Sequence, residues 1–415
     1  MSAMIHQIPR QIKIHDQIVG NGAHYWDTPA KCVNFAASLQ RSDITKDLMY
    51  NVNKSTEYPF RRKVNIRRID LEYCQKGVVE GRTITYKPAH SVKFIDPNTT
   101  SDEGFLNELR NSSFAVDIPL WFAKKSGDLD LMPLGHVLKK WNMQMIYQYK
   151  GCNLNCRYCY VSDIDNSATK GCFSNITPRD IFDSYRFYNE QGKVQGIRCS
   201  GGEPSLYLDH IHKVIRVFKE ENKPVLIQLD TNGSTFYYIE HMLKHDLNWD
   251  DVMIQDLAEN TMVFFAFKGT DDKTIQEITK SKLTLEDQFN TLRFYVSNGF
   301  DVYLNLYSSN PVTLPSFIRR LDEDYGSNAI RKLRCHPLEL YTPTKQRLER
   351  NAKHKDMFFR RHPEQYATGI GMKWMLDFQA STRYLKRICR EAYGFKYPEV
   401  MRCNYKIGTG DCKCM

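Results

Sequence analysis

No uninterrupted apolar run in this chain approaches the roughly 20 residues that a membrane-crossing helix needs. The N-terminus, MSAMIHQIPRQIKIHDQ, also lacks the basic-then-apolar pattern of an export signal. Both absences point to a protein of a reducing cytoplasm. No repeat of fixed period and no low-complexity tract stands out, which argues against a solenoid. Residues 1–140 carry no catalytic signature: short apolar pieces are broken by polar and turn residues, with extended-looking segments at 82–86 and 91–95.

What is present is enough for a full core. The chain has 415 residues, 41% hydrophobic and 26% charged, the length of one large domain with extensions or of two domains. Its twelve cysteines are clustered, three in residues 152–159 and four in 389–414, and clustered cysteines in a chain this long favour metal over disulfides. The formal charge of +10 is uneven: residues 331–415 hold 19 Lys and Arg against 8 Asp and Glu, a net +11. That surface fits an acidic protein or nucleic acid, or a solvated basic face. The run from Arg61 to Arg68, five positive charges in eight residues, reads as an exposed strand edge guarded by charge, with phosphate contact as the other reading.

From about Asn142 strand-like runs alternate with helical ones. Strands are expected at 143–149, 196–200, 225–230, 262–267, 302–307 and 332–340, and helices at 178–191, 208–221, 235–245, 285–298 and 314–324, several opening on Thr, Ser or Pro. Strand then helix, repeated, predicts a parallel sheet. Beyond about Pro343 the pattern turns helical and basic and ends in a cysteine-rich tail.

Two motifs carry chemistry. The first, Gly151-Cys152-Asn-Leu-Asn-Cys156-Arg-Tyr158-Cys159-Tyr160, follows the first of these strands. Three thiolates at spacings of four and three can wrap one cubic cluster and leave one iron open to a ligand. The competing reading is a zinc knuckle, but zinc sites usually present four ligands, and no second CxxC pair lies in the next strand–helix units. The second motif, Gly201-Gly202-Glu203-Pro204, ends the next strand. Alone it is a strand-to-helix turn; beside the cysteines, its carbonyls and carboxylate suit a ligand ammonium.

CxxxCxxC with an aromatic at Tyr158, followed about forty residues later by GGEP at a strand end, resembles the radical S-adenosylmethionine (SAM) superfamily over roughly residues 143–340. The resemblance implies an α/β fold, a partial (βα)6 TIM-like barrel with N- and C-terminal extensions, divided as 1–140, 141–342 and 343–415. It implies a 4Fe-4S cluster on Cys152, Cys156 and Cys159, Tyr158 near the adenine of SAM, and Gly201, Gly202 and Glu203 at its amino group. Similarity to glycyl-radical-enzyme activases extends to Asp230-Thr-Asn232-Gly233, Ala266-Phe-Lys268 and Cys335-His336-Pro337. It implies Asn232, Lys268 and His336 as further SAM contacts, although those activases have an aspartate where this chain has Ala266. The blander readings are a turn at Asn232-Gly233, a solvated strand-end lysine and a structural histidine.

The resemblance further implies reductive cleavage of SAM, a flavodoxin- or ferredoxin-like low-potential electron donor, and hydrogen abstraction from a substrate. The tail cysteines and basic surface lean that substrate towards a protein, peptide or RNA, with a small molecule still open. Cys389, Cys403, Cys412 and Cys414 suffice for an auxiliary cluster or structural metal, whereas Cys32, Cys74, Cys172, Cys199 and Cys335 read as buried small hydrophobes. Since the SAM motifs end at His336, SAM cleavage is expected to survive truncation after Phe395.

Overall fold

The computed structural model describes residues 152–160, 178–190, 196–245, 249–338, 340, 342–399, 402 and 405–408. To these it adds strands β1 (Val33–Ala36), β2 (Asn65–Arg68), β3 (Lys76–Val79), β4 (Arg82–Thr85), β5 (Met143–Tyr149) and β6 (Phe173–Ile176). The expected strand at 91–95 and the cysteines at 32, 74, 172, 403, 412 and 414 lie outside the described residues.

Six parallel strands form the body: β5, β7 (Gly196–Gly201), β8 (Ile227–Thr231), β9 (Thr261–Phe267), β10 (Asp301–Leu306) and β11 (Leu333–Cys335). They are neighbours in chain order, and from β7 onward each crossover runs through helix, the arrangement of a partial (βα)6 barrel. β1 and β2 pair antiparallel with β5, and β6 with β1. The N-terminal stretch thus adds strands to the core sheet, and the basic run does lie partly in a strand, β2, though one paired with β5.

Alternation assigns the two faces of the sheet. On β9, Val263, Phe265 and Phe267 join the main apolar cluster with the helices, while Phe264 and Ala266 are half-buried on the opposite, inner face. The helices on the outer face are α1 (Pro178–Glu190), α2 (Leu208–Glu220), α3 (Phe236–His245), α4 (Asp251–Asn260), α5 (Asp272–Thr279), α6 (Leu285–Ser297), α7 (Leu314–Tyr325) and α8 (Ser327–Lys332). On α2, Leu208, Ile211, Ile215 and Phe218 recur at helical spacing and are fully buried, each worth about 1.5–3 kcal/mol relative to exposure.

Of the three barrel helices not expected from the sequence, α4, α5 and α8, the first two start on aspartate caps: Asp250 accepts from the Met253 N–H and Asp271 from the Thr274 N–H. Each such cap contributes about 1 kcal/mol. α9 (Thr342–Ala352), α10 (Met357–Arg361) and α11 (Pro363–Glu391) follow the barrel. No described helix is long and apolar enough to cross a membrane.

The C-terminal segment does not hang free of the body, which corrects the truncation expectation. Tyr397, Arg402 and Ile407 are buried, and the Tyr397 hydroxyl accepts from the Cys335 N–H at 2.7 Å. A cut after Phe395 removes part of the core and unsettles the end of β11.

Candidate active site

The cysteine loop leaves β5 and is gripped by helix α5. Helices end with carbonyls that lack intrahelical partners, and here the Thr279 carbonyl accepts from the Asn155 N–H at 3.1 Å and the Ile278 carbonyl from the Arg157 N–H at 2.8 Å. Leu154 seals the contact in a small apolar cluster with Ile275 and Leu283. Cys152 and Cys156 are buried and Cys159 is half-buried.

Burial pushes the Cys152 thiol well up, and the nearby charges of Glu203 and Cys156 push it further. Cys156 is pushed up to about 11 by burial, with Lys268 the strongest opposing influence. The thiols feel one another's charge, so iron that binds them must expel their protons. Among the described residues no three His, Cys, Asp or Glu side chains converge tightly enough for one metal ion. Three thiolates suit a cube, in which each would bind a different iron and the fourth iron stays open. The donor set therefore fits a cluster.

The turn after β7 is joined to this loop. The Gly202 N–H donates to the Tyr149 carbonyl at 2.8 Å, and Gly201 has φ 100°, open to glycine without strain. Glu203 is 1% exposed. One carboxylate oxygen accepts from the Ser205 N–H at 3.2 Å and from the Ser205 hydroxyl, the other from the Asn232 N–H at 2.7 Å. Burial raises its carboxyl above the ordinary range and these bonds oppose the rise. Glu203 thus has a part the sequence did not show: its side chain holds the turn that presents Gly201 and Gly202. Glutamine at 203 would set its amide NH2 against one of these donors, at a cost of about 1–3 kcal/mol. A denaturant melt of Glu203→Gln coinciding with that of the parent would exclude this role.

Asn232 connects both motifs. Its side-chain amide donates to the Asn153 side-chain oxygen Oδ1 at 2.9 Å and to the Cys152 sulfur at 3.5 Å, while its backbone N–H holds Glu203. Gly233, at φ 69°, allows this; a β-carbon there would lie 2.5 Å from the Phe265 ring.

At the next strand ends Lys268 is 7% exposed, so it is not a solvated lysine. Its ammonium lies 5.6 Å from the Tyr158 ring centre and 5.5 Å from that of Tyr307, and no carboxylate of a described residue pairs with it. Tyr158 stacks on Tyr307 at 5.7 Å, and Tyr307 on His336 at 5.2 Å. The Tyr158 hydroxyl is buried without a hydrogen-bond partner, as expected of a group awaiting a ligand. The His336 Nε2 meets the Asn305 oxygen at 2.8 Å. Burial, then Arg334, Arg402 and Arg198, hold this ring well below the ordinary imidazole range. It therefore stays neutral at neutral pH, and its contribution to stability is lost only as pH falls below that range.

The sequence reading missed Tyr307, one register step past Tyr303 and Asn305 on the inner face of β10. It also missed the inner pair Arg198–Asp230, at 2.7 Å with Gln228 on the second carboxylate oxygen. Period-two alternation from Ala266 and Lys268 was the available signal. The tail set is divided: Cys389 is fully buried in the main core and pushed up to about 12 by burial, while its three companions lie outside the described residues.

The model of the radical SAM superfamily matches residues 146–318, somewhat under half of the chain, and that stretch is similar to the domain of that superfamily, which implies a 4Fe-4S cluster and SAM. Among curated relatives, a protein named as a glycyl-radical enzyme activating enzyme of Methanocaldococcus jannaschii is 31% identical over 122 residues, 29% of this chain and 45% of its own length. The 7-carboxy-7-deazaguanine synthase of Clostridium acetobutylicum is 23% identical over 195 residues, 45% of this chain and 83% of that protein. Streptococcus suis SuiB bound to S-adenosylmethionine aligns at 16% identity over 55% of this chain and 45% of that one, with a TM-score of 0.30, too low to carry weight. The chain spans less than half the length of the first of these relatives.

Proposed function

We propose that the protein cleaves SAM reductively and uses the resulting 5'-deoxyadenosyl radical to take hydrogen from a substrate. The observation that supports this best is Asn232, whose side-chain amide meets the Cys152 sulfur while its backbone N–H holds the Glu203 carboxylate of the glycine turn. This brings Cys152 next to the Gly201–Glu203 turn, the arrangement that the reading requires. When bound and reduced, the cluster supplies the electron that breaks the sulfonium C–S bond. The chain's own residues bind and orient: Cys152, Cys156 and Cys159 hold three irons, Gly201 and Gly202 offer carbonyls to the SAM amine, and Lys268 holds the carboxylate. Tyr158 and Tyr307 offer ring faces, and the neutral His336 a polar atom for the ribose. The test is anaerobic reconstitution with iron and sulfide, then dithionite and SAM, followed by chromatography. Methionine and 5'-deoxyadenosine are expected in equal amounts; a brown protein that yields neither refutes the reading.

Replacing Lys268 by methionine keeps the packing between the rings and removes the charge. It is expected to weaken SAM binding by about 1.5 kcal/mol, close to tenfold in Kd, with iron content unchanged. Equal affinity in titration calorimetry would return Lys268 to a structural role.

For the substrate, the activating-enzyme relative and the basic C-terminal fifth support a protein or peptide, with RNA as a further macromolecular candidate and a low-potential electron donor as the second partner. The deazaguanine-synthase relative and the inner pair Arg198–Asp230, 26% and 21% exposed, support a small polar molecule as a second reading. Deuterated cell extract separated by size decides: deuterium should appear in 5'-deoxyadenosine with the macromolecular fraction, and its appearance only with the small-molecule fraction reverses the order. The auxiliary site proposed on Cys389, Cys403, Cys412 and Cys414 is checked by metal analysis. Only about four irons and no zinc in the reconstituted protein would rule it out.

A further inference from the structure

The amide side of the cysteine loop is held by α5; its carbonyl side is held by α9, which belongs to the C-terminal extension. The Arg347 guanidinium donates through Nη1 to the Cys159 carbonyl at 2.8 Å and to the Cys156 carbonyl at 3.4 Å. The Thr344 hydroxyl reaches the Tyr158 carbonyl at 3.0 Å and the Cys159 carbonyl at 3.2 Å. Both residues are buried, Arg347 at 7% and Thr344 at 0%. The helix that carries them is anchored by Leu348, which packs in one apolar cluster with Ile278 of α5, Leu338, and Ala367 and Trp374 of α11, with Tyr158 and Tyr307 against it. Every carbonyl from Cys156 to Cys159 except that of Arg157 is therefore met by a side chain of α9.

We propose that α9 completes the cluster site, with Arg347 a positioning residue that bridges the Cys156 and Cys159 carbonyls and places a buried positive charge beside the cluster. This rests on the radical SAM reading above. Reduction adds an electron to a group already made negative by its thiolates, so a nearby cation stabilises the reduced form more than the oxidised one and raises the potential. The bridge does separate work: it fixes the spacing of two ligands whose loop has no regular hydrogen-bond ladder of its own.

The test uses the full-length protein reconstituted with its cluster, read by redox titration followed by electron paramagnetic resonance and by iron loss to a chelator. Arg347→Gln is expected to shift the midpoint to more negative potential and to speed iron loss by about 10- to 100-fold. Arg347→Lys keeps the charge and loses the bridge, so the midpoint returns towards the parent value while iron loss stays fast. Thr344→Val leaves the midpoint and speeds iron loss. Arg347→Gln with the parent's midpoint and rate of iron loss overturns the proposal. If that variant does not fold, Arg347→Lys decides: faster iron loss at an unchanged midpoint supports the proposal, and loss at the parent rate overturns it. A parent protein that takes up no cluster at all is a different result, and it removes the radical SAM reading instead.

Discussion

Alanine at Cys152, Cys156 or Cys159 is expected to abolish cluster assembly and, with it, all production of 5'-deoxyadenosine from SAM. Each thiolate in a cubic cluster closes the coordination of one iron, and loss of any one exposes the cube to dissolution. The sulfurs are not interchangeable in their surroundings. Cys152 receives the Leu154 N–H at 3.4 Å and the Asn232 amide at 3.5 Å, Cys156 lies under the influence of Lys268 and Arg347, and Cys159 is the most exposed of the three. The loop itself should survive, because Leu154 remains packed on Ile275 and Leu283 and the two amide bonds to the end of α5 involve no sulfur. The three variants should therefore melt close to the metal-free parent while showing no brown colour. Full turnover of SAM by any one of them would falsify the cluster assignment.

Five of the six barrel strands were legible to within two residues, β5 to the residue, whereas the strand expected over 332–340 is only Leu333–Cys335, with Lys332 in the preceding helix and His336-Pro337 ending it. The barrel's inner face was less so. A parallel strand buried on both sides reads as a nearly continuous apolar run, as β9 does in Thr-Met-Val-Phe-Phe-Ala-Phe, so its two faces separate only once the neighbouring strands are placed. α4, α5 and α8 went unread: α5 and α8 are short, 8 and 6 residues, and α4, as long as α3, follows it with no strand between to mark a new element, although the aspartates before α4 and α5 were visible cap signals. The grip of α9 on the cysteine loop was out of reach for another reason. Arg347 and Cys159 are 188 residues apart, and no local pattern on α9 distinguishes an arginine that turns inward from the solvated basic face expected there. The same long-range packing of Tyr397 and Arg402 makes the C-terminal segment part of the body.

Aspartate at position 232 is expected to cost the protein its cluster near neutral pH, although it is nearly isosteric with asparagine. The native side chain is 6% exposed and fully engaged. Its oxygen accepts from the Ser234 N–H at 3.0 Å and from the Ser234 hydroxyl, and its amide nitrogen donates to the Asn153 oxygen at 2.9 Å and to Cys152. Aspartate keeps the first oxygen and turns the donor into a second acceptor, which then faces a carbonyl oxygen and a thiolate, with the Glu203 carboxylate held by the same residue's N–H. A buried charge left without a partner costs about 3–5 kcal/mol, and loss of a hydrogen bond to a cluster sulfur, together with a new negative charge, lowers the potential. Burial and these neighbours should raise the new carboxyl well above its ordinary range, and once protonated it can again donate. Iron retention in Asn232→Asp should therefore improve as the pH is lowered, while Asn232→Ala, which loses the bonds without adding charge, should be milder and insensitive to pH. Iron content measured across a pH series separates the two variants, and an aspartate variant that retains iron as the parent does at every pH would show that Asn232 does not bear on the cluster.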